Sequence, residues 1–461
     1  MGLYSFYRIS KPSAEKVAPE KEAETYKLLR NRTFWGVTVA YSLYYVCRMS
    51  LSVVKQPLID EGVLSAGQLG LIGSALLFVY AVGKFMNGFI ADYCNIRRFM
   101  ATGLFISALV NLLMGIMGWI QGPAGLPTVL IFISFAILWG VNGWMQSMGS
   151  PPGVISLSRW FPRAKRGTYY SIFSATPYIG EFLSFIITGV VVGALGWQYG
   201  FLVAAIAGLI GSLIILFMVS DTPESKGLPS VQALSGETLT KEDTMPTKEL
   251  QKIVLKHPGI WVIAISSAFI YITKYAISGW GVLFLQKARG FELAEASQVI
   301  AFSAVSGILG TVLAGWLSDK VFKGDRVKPA VLSGIISTSS LILFLFVGGG
   351  FVLNIFYVSL FSLSVGVLYC IVAGLMAVDI VPRKATGAAL GVVGISSYVA
   401  AALQDITSGL LIQYNTVQVD GVDVYDFGPV SWFWIGAAVI SFVLPVLNWK
   451  KMTATRLSSR D

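Results

Sequence analysis

The sequence predicts an all-α polytopic membrane protein of twelve transmembrane helices in two pseudo-symmetric six-helix halves. Three observations carry this. Of 461 residues, 55% are hydrophobic and only 13% charged, against about 25% charged in an ordinary soluble domain. Charge-poor runs of about the 20 residues needed to cross a hydrocarbon core recur along the whole chain. Several motifs of the first half return, nearly one half-length later, in the second.

The predicted spans lie near 34–54, 68–90, 99–120, 127–149, 168–195, 201–220, 258–286, 297–317, 329–349, 352–378, 387–412 and 429–448. "GFIAD" (Gly88–Asp92) returns as "GWLSD" (Gly315–Asp319) at an offset of 227. Arg48 in span 1 and Lys274 in span 7 are 226 apart, and "PRAKRG" (Pro162–Gly167) returns as "PRKATG" (Pro382–Gly387) at 220. A duplicated six-helix unit around a central cavity is the major facilitator architecture. The expected organisation is a 1–33 N-terminal segment, a 34–220 half, a polar 221–256 linker, a 257–449 half and a 450–461 tail.

Charge sets the expected orientation. With both termini in the cytoplasm, 28 of the 34 Lys and Arg fall in cytoplasmic segments; only Lys55, Lys287 and Arg289 fall in outer loops. That is the positive-inside pattern of a multi-pass inner-membrane protein. The net charge of +10 is spread over loops, so it is a topology signal and not a nucleic-acid footprint. The first apolar run is long enough to span, so no cleavable leader is expected. Cys47, Cys94, Cys370 and the single histidine, His257, form no metal or catalytic pattern. No cofactor fingerprint is present either, so a non-enzyme is expected, with the lipid bilayer as its environment.

Three cations remain inside spans: Arg48, Lys84 and Lys274. A charge at the bilayer centre costs at least about 2.5–3.5 kcal/mol, so it faces a cavity or a partner. Lys274 is 13 residues from the next charge, roughly 20 Å along a helix, too far to snorkel. Arg48 is seven residues from Lys55, so snorkelling to the outer surface competes with a cavity role there. Tyrosines flank each cation at helical spacing: Tyr41 and Tyr45 before Arg48, Tyr80 before Lys84, Tyr271 before Lys274. Glu181 is the one clear carboxylate in mid-span; Asp379 and Asp405 read as helix-end partners. Such a lumen suits an anion. Phosphate held by an arginine fork and a lysine fits, although sulfate or a dicarboxylate fits on charge alone. At the loops, Asp92 with Arg97 and Arg98, and Asp319 with Lys323 and Arg326, are candidate gate latches or charges solvating a tight turn.

The chain resembles the organophosphate:inorganic phosphate antiporter family of the major facilitator superfamily. The resemblance rests on "YSLYYVCRMS" (Tyr41–Ser50), "YAVGKF" (Tyr80–Phe85), "GWMQSMGSPP" (Gly143–Pro152), "WFPRAKRG" (Trp160–Gly167), "SDTPESKGLP" (Ser220–Pro229) and "GWLSDKVFKGDR" (Gly315–Arg326). It implies that Arg48 is a phosphate-binding cation, with Tyr41, Tyr45, Tyr80, Lys84, Tyr271 and Tyr398 around the site. The chain departs from the family pattern at Lys274, where bacterial members usually have arginine. It departs also at Pro177 and Glu181 in "TPYIGE", at Ala304 in helix 8 and at Val367 in helix 10. The implied activity is alternating-access exchange of a small phosphate ester, of the glycerol-3-phosphate or hexose-6-phosphate class, for inorganic phosphate. A monomer is expected. A sugar-phosphate sensor of the same fold, and a proton-coupled symporter using Glu181, are the alternatives. In the anion-free carrier Glu181 is expected to pair with Lys84 or Arg48.

Overall fold

In a computed structural model, residues 6–162, 169, 172–235, 255–323, 325–380, 386–419 and 422–454 are described. Most of both Pro-Arg loops, much of the linker and the end of the tail therefore lie outside the described residues. Twelve helices are long and apolar enough to cross a membrane. They are α1 Pro19–Asp60, α2 Ala66–Asn87, α3 Ile96–Gln121, α4 Thr128–Trp160, α5 Thr176–Leu195 and α6 Trp197–Met218 in the first half. The second half holds α7 Pro258–Arg289, α8 Leu293–Trp316, α9 Val327–Val347, α10 Phe351–Met376, α11 Ala389–Tyr414 and α12 Gly428–Lys450. Alternation puts both chain ends on one side, called here the termini side; the α1–α2 and α7–α8 turns lie on the far side.

Local sequence accounts for the boundaries. Pro19 opens α1 with Glu20 and Glu22 in its first turn, the placement that the helix dipole and the missing proline N–H favour. Ser65 and Gln68 close a capping box on α2. Asn95 caps α3 by accepting from the Arg98 N–H, and His257 caps α7 by accepting from the Gly259 N–H at 3.1 Å. Gly290 ends α7 in the left-handed region, at φ 70°.

One boundary differs from the sequence expectation with consequences. Helix α1 does not stop before Lys55; it runs on through Pro57 to Asp60. The charge that looked like a loop residue lies inside the helix, and Lys55 is 2% exposed.

Across the halves, α2 packs on α11 and α5 on α8. The first contact needs small residues: a β-carbon at Gly409 would lie 2.6 Å from the Ala66 carbonyl oxygen. Between α11 and α12 a two-stranded antiparallel hairpin, β1 Thr416–Val419 and β2 Val422–Tyr425, stands on the far side.

Candidate functional site

Arg48 is placed by a polar network behind it. The carbonyl of Cys47 accepts from Asn111 Nδ2 of α3 at 3.1 Å and from Asn142 Nδ2 of α4 at 3.2 Å. Ser50 Oγ donates to Asn111 Oδ1 at 2.8 Å, and Gln146 Nε2 to Ser107 Oγ at 2.7 Å. These bonds fix the rotation of α1, which turns Arg48 toward the second half.

There Arg48 is 4% exposed and its guanidinium sits among aromatic rings. Its Cζ is 4.2 Å from the Tyr80 ring centroid, 5.4 Å from Tyr45, 5.5 Å from Tyr398 and 6.0 Å from Tyr275. One Nη donates to the Tyr275 hydroxyl at 3.2 Å, while Nε is buried with no hydrogen-bond partner. Snorkelling is excluded by this burial and by the twelve residues of α1 that still follow Arg48. Each cation–π contact is worth about 0.5–2 kcal/mol, so the rings offset part of the desolvation without neutralising the charge. That leaves a buried cation with a donor free for an anion.

The other expected residues divide into three places. Lys84 stands beside the same rings, 5.0 Å from Tyr398 and 5.9 Å from Tyr80. Tyr271 packs on Tyr398 with centroids 5.3 Å apart, which brings it into the cage. Tyr41 lies a turn toward the termini side, stacked on Phe173 and edge-on to Tyr45 of the cage. Lys274 and Glu181 share a side cavity of about 20 Å³ with Tyr178, Ser278, Ser303 and Ala304, the room of roughly one water. Lys274 Nζ is 4.6 Å from the Tyr178 ring.

Glu181 is 3% exposed. Its expected pairing with Lys84 or Arg48 is not observed: among the described residues no ion pair involves Arg48, Lys84, Lys274 or Glu181. Its cavity partner is instead Lys274: α5 packs on α1 and α8, and Glu181 lines the side cavity that Lys274 of α7 also lines.

The candidate latches fall partly outside the described residues. The Asp92 and Asp319 side chains lie outside the described residues. Arg98 donates to the Phe6 carbonyl at 2.7 Å, so the N-terminal segment takes it. Arg326 Nε pairs with Asp379 at 3.0 Å and its Nη with Ser318 Oγ. Arg97 is half-buried, with no partner for its Nε, and Lys323 is exposed at φ 51°.

Sequence reasoning missed four side chains. Tyr275 and Tyr178 carried a signal, one turn from Tyr271 and from Glu181 respectively. Tyr369, 5.9 Å from Tyr271, arrives where α10 loosens into a π-helical stretch, Tyr369–Met376; such widened turns collect at functional sites. Lys55 was misplaced rather than unseen. Its Nζ is 2.9 Å from Asp405 of α11 and 3.5 Å from the centroid of Trp280 of α7, whose indole N–H donates to the same carboxylate oxygen at 2.6 Å. Asp405 is accordingly no helix-end residue but half of a buried pair joining the two halves.

Comparison with known proteins is consistent with this geometry. The family model described as "Major Facilitator Superfamily" matches residues 37–404. The glycerol-3-phosphate transporter of Bacillus subtilis (strain 168) is 31% identical over 95% of this chain and 96% of its own. A probable hexose phosphate transport protein of Chlamydia muridarum is 30% identical over 86% and 88%. Among solved structures, a bacterial homolog of the human lysosomal transporter Spinster, in an inward-facing unoccupied conformation, superposes with a TM-score of 0.70. It is 17% identical and covers 93% of this chain and 96% of that one, a likeness of fold alone.

Proposed function

This chain belongs to the major facilitator superfamily, and we propose that it exchanges a small phosphorylated organic anion for inorganic phosphate across the inner membrane, with both termini cytoplasmic. The observation that carries the reading is the group of three intramembrane cations, Arg48, Lys84 and Lys274, gathered around one aromatic cage and its side cavity without a carboxylate paired to any of them among the described residues. A planar guanidinium and two point-charge ammoniums match the oxygens of a phosphate dianion.

The groups lining the side cavity, which holds about one water while the carrier is closed, suit the organic part of the substrate once the halves part. Ser278 Oγ and Ser303 Oγ spend their protons on the Lys274 and Ile300 carbonyls, and Glu181, when ionised, can only accept. Those three groups accept hydrogen bonds from hydroxyl groups, and an ionised Glu181 repels a second carboxylate placed against it. This lining favours a polyol ester, of the glycerol-3-phosphate or hexose phosphate class named by the relatives.

Exchange follows from the charges. Without an anion, the cations of the two halves oppose closure of the cavity from both sides, because like charges repel at low dielectric. A bound dianion offsets the repulsion, so the loaded carrier reorients and the unloaded one does not. Purified protein in liposomes is expected to take up labelled phosphate only when phosphate or a polyol phosphate is inside. Uptake into anion-free liposomes, or its collapse with a protonophore when phosphate is on both sides, would replace exchange by symport. Tight ester binding without any flux would assign the chain a sensor's role.

A further inference from the structure

Lys55 has no part in the function just proposed, and its surroundings ask for one. It lies seven residues beyond Arg48 on α1, which is about 10 Å along the axis and, at about 100° per residue, on nearly the same helix face. A cavity of about 40 Å³ connects the two, lined among others by Arg48, Ser52, Lys55, Tyr275, Gln404 and Asp405. The two cations thus form a column leading from the far side to the cage.

The described polar and ring contacts of the Lys55 ammonium, with Asp405 and Trp280, all belong to the second half. Asp405 differs: its bond from the Trp280 indole lies within its own half. When the far side opens, α1 must part from α7 and α11. Asp405 then leaves with its indole, and Lys55 is left as a bare ammonium above Arg48. Nor is an ion pair needed merely to seal this level, since an apolar pair of similar volume seals as well or better. The far side is already clasped by Gln286 on Gln56 at 3.0 Å and by Ser65 Oγ and the Gly67 N–H on Gln413 at 2.9 Å.

We propose that Lys55 is a second anion-binding residue of the translocation path, neutralised by Asp405 while the far side is closed and offered to an incoming phosphate or phosphomonoester when it opens. Asp405 is its internal stand-in for the anion: the ligand leaves Lys55 for Arg48, and Asp405 takes its place as the halves close. The inference rests on the phosphate-exchange reading above.

The test separates an anion station from a mere clasp by moving the cation to the other half. In liposomes holding phosphate, phosphate exchange is measured from each side for the wild type, for the swap K55D/D405K and for the neutral pair K55Q/D405N. Both double variants retain a matched pair, but neither has a cation at position 55, so on α1 only Arg48 of the column remains. Expected is a rise of about tenfold in the ratio of the far-side KM to the termini-side KM, equivalent to about 1.4 kcal/mol of anion binding. Lys287→Ala, at the same face but off the column, is the control and should keep the wild-type ratio. A wild-type ratio in the swap or, should the swap not assemble, in the neutral pair would overturn the proposal and leave Lys55–Asp405 a clasp. A wild type that neither exchanges nor binds phosphate would overturn the functional reading itself, and this inference with it.

Discussion

The two ends of the interface between the halves are built differently. On the far side, polar contacts cross it: Lys55 to Asp405, Gln286 to Gln56, Ser65 and Gly67 to Gln413, and Lys287 to Asp60. On the termini side, the ion pairs between described residues stay within one half. Arg159 of α4 holds Asp221 at 2.7 Å, and Asp221 also accepts from the Ser10 and Ile96 N–H groups at 2.8 and 3.0 Å. Arg326 holds Asp379 inside the second half. Bonds that cross the interface must break when access alternates, whereas bonds within a half can persist through the cycle. The first group is therefore a closure and the second a brace, and the Arg48–Tyr275 contact lies between them at the level of the site.

That distinction can be broken most sharply at Asp405. Asp405→Leu alone leaves a buried lysine without its carboxylate, a loss of about 3–5 kcal/mol for a buried pair deprived of one member. The expected outcome is a large fall in melting temperature, or escape by opening, read as thiol labelling of a cysteine placed at Gln413. Lys55→Met combined with Asp405→Leu should recover most of the stability. If the single variant is as stable and as closed as the wild type, the pair does not hold the far side.

The next effect is at the level of the site. Arg48→Lys keeps the charge but loses the fork, and charge-assisted hydrogen bonds are worth about 1.5–3 kcal/mol each. Phosphate exchange is expected to fall by about 100-fold, with the melting temperature little changed because the cage rings still meet a cation. Near-normal exchange would mean that Arg48 is a structural cation like those at either end.

How far this was legible in the sequence varies with the range of the interaction. Helix number and the single charge between Arg32 and Lys55 follow from local composition, so the fold and Arg48 could be read directly. Lys55 could not: a lysine just past an expected span end reads as an outer-loop residue, and its buried partner is Asp405, 350 positions away. Glu181 shows the same limit more mildly. Its place in mid-span was legible, but the cation across its cavity depends on how α5 docks against the second half. Arg326 pairs with Asp379, just past α10, which only tertiary packing brings near; the side chain of Asp319, its expected neighbour, lies outside the described residues. Motifs located the chemistry; the partners came from contacts between helices remote in sequence.

A brace should behave unlike a closure when it is weakened. Asp221→Asn removes the charge that gathers Arg159, the Ser10 N–H and the Ile96 N–H, while leaving an amide of the same shape. The expected cost is about 1–3 kcal/mol, as for a partly unsatisfied buried group. It should appear as a lower melting temperature with no change in labelling at Gln413, because the bonds described for Asp221 do not cross the interface. Increased far-side labelling in this variant would show that the termini-side pairs are coupled to closure after all.

The smallest effect is expected from the second ion pair of the closure itself, Lys287–Asp60. It joins α7 to α1, as the Lys55 network does, but its side chains are 23% and 38% exposed against 2% and 11% for Lys55 and Asp405. Solvent screens the attraction, and holding two long side chains costs rotamer entropy, so an exposed pair contributes about 0–1 kcal/mol. Tyr425 of β2 lies under the lysine, 5.4 Å from Nζ; burial, with Asp423 and Asp60 nearby, pushes its hydroxyl up to about 12. The phenol is therefore neutral at physiological pH and adds no third charge for the pair to answer. Lys287→Ala is expected to change the melting temperature by no more than a few degrees, and raising the salt from 0.1 to about 1 M, which shortens the Debye length from about 10 to 3 Å, should remove what difference there is. Applied to the Lys55 pair, the same salt step should do nothing, since no ions reach it. If both pairs respond alike, burial is not what separates a closure from a surface contact at this end. If only Lys287 responds, the far side is held by the pair the lipid and protein conceal, and the visible one is trim.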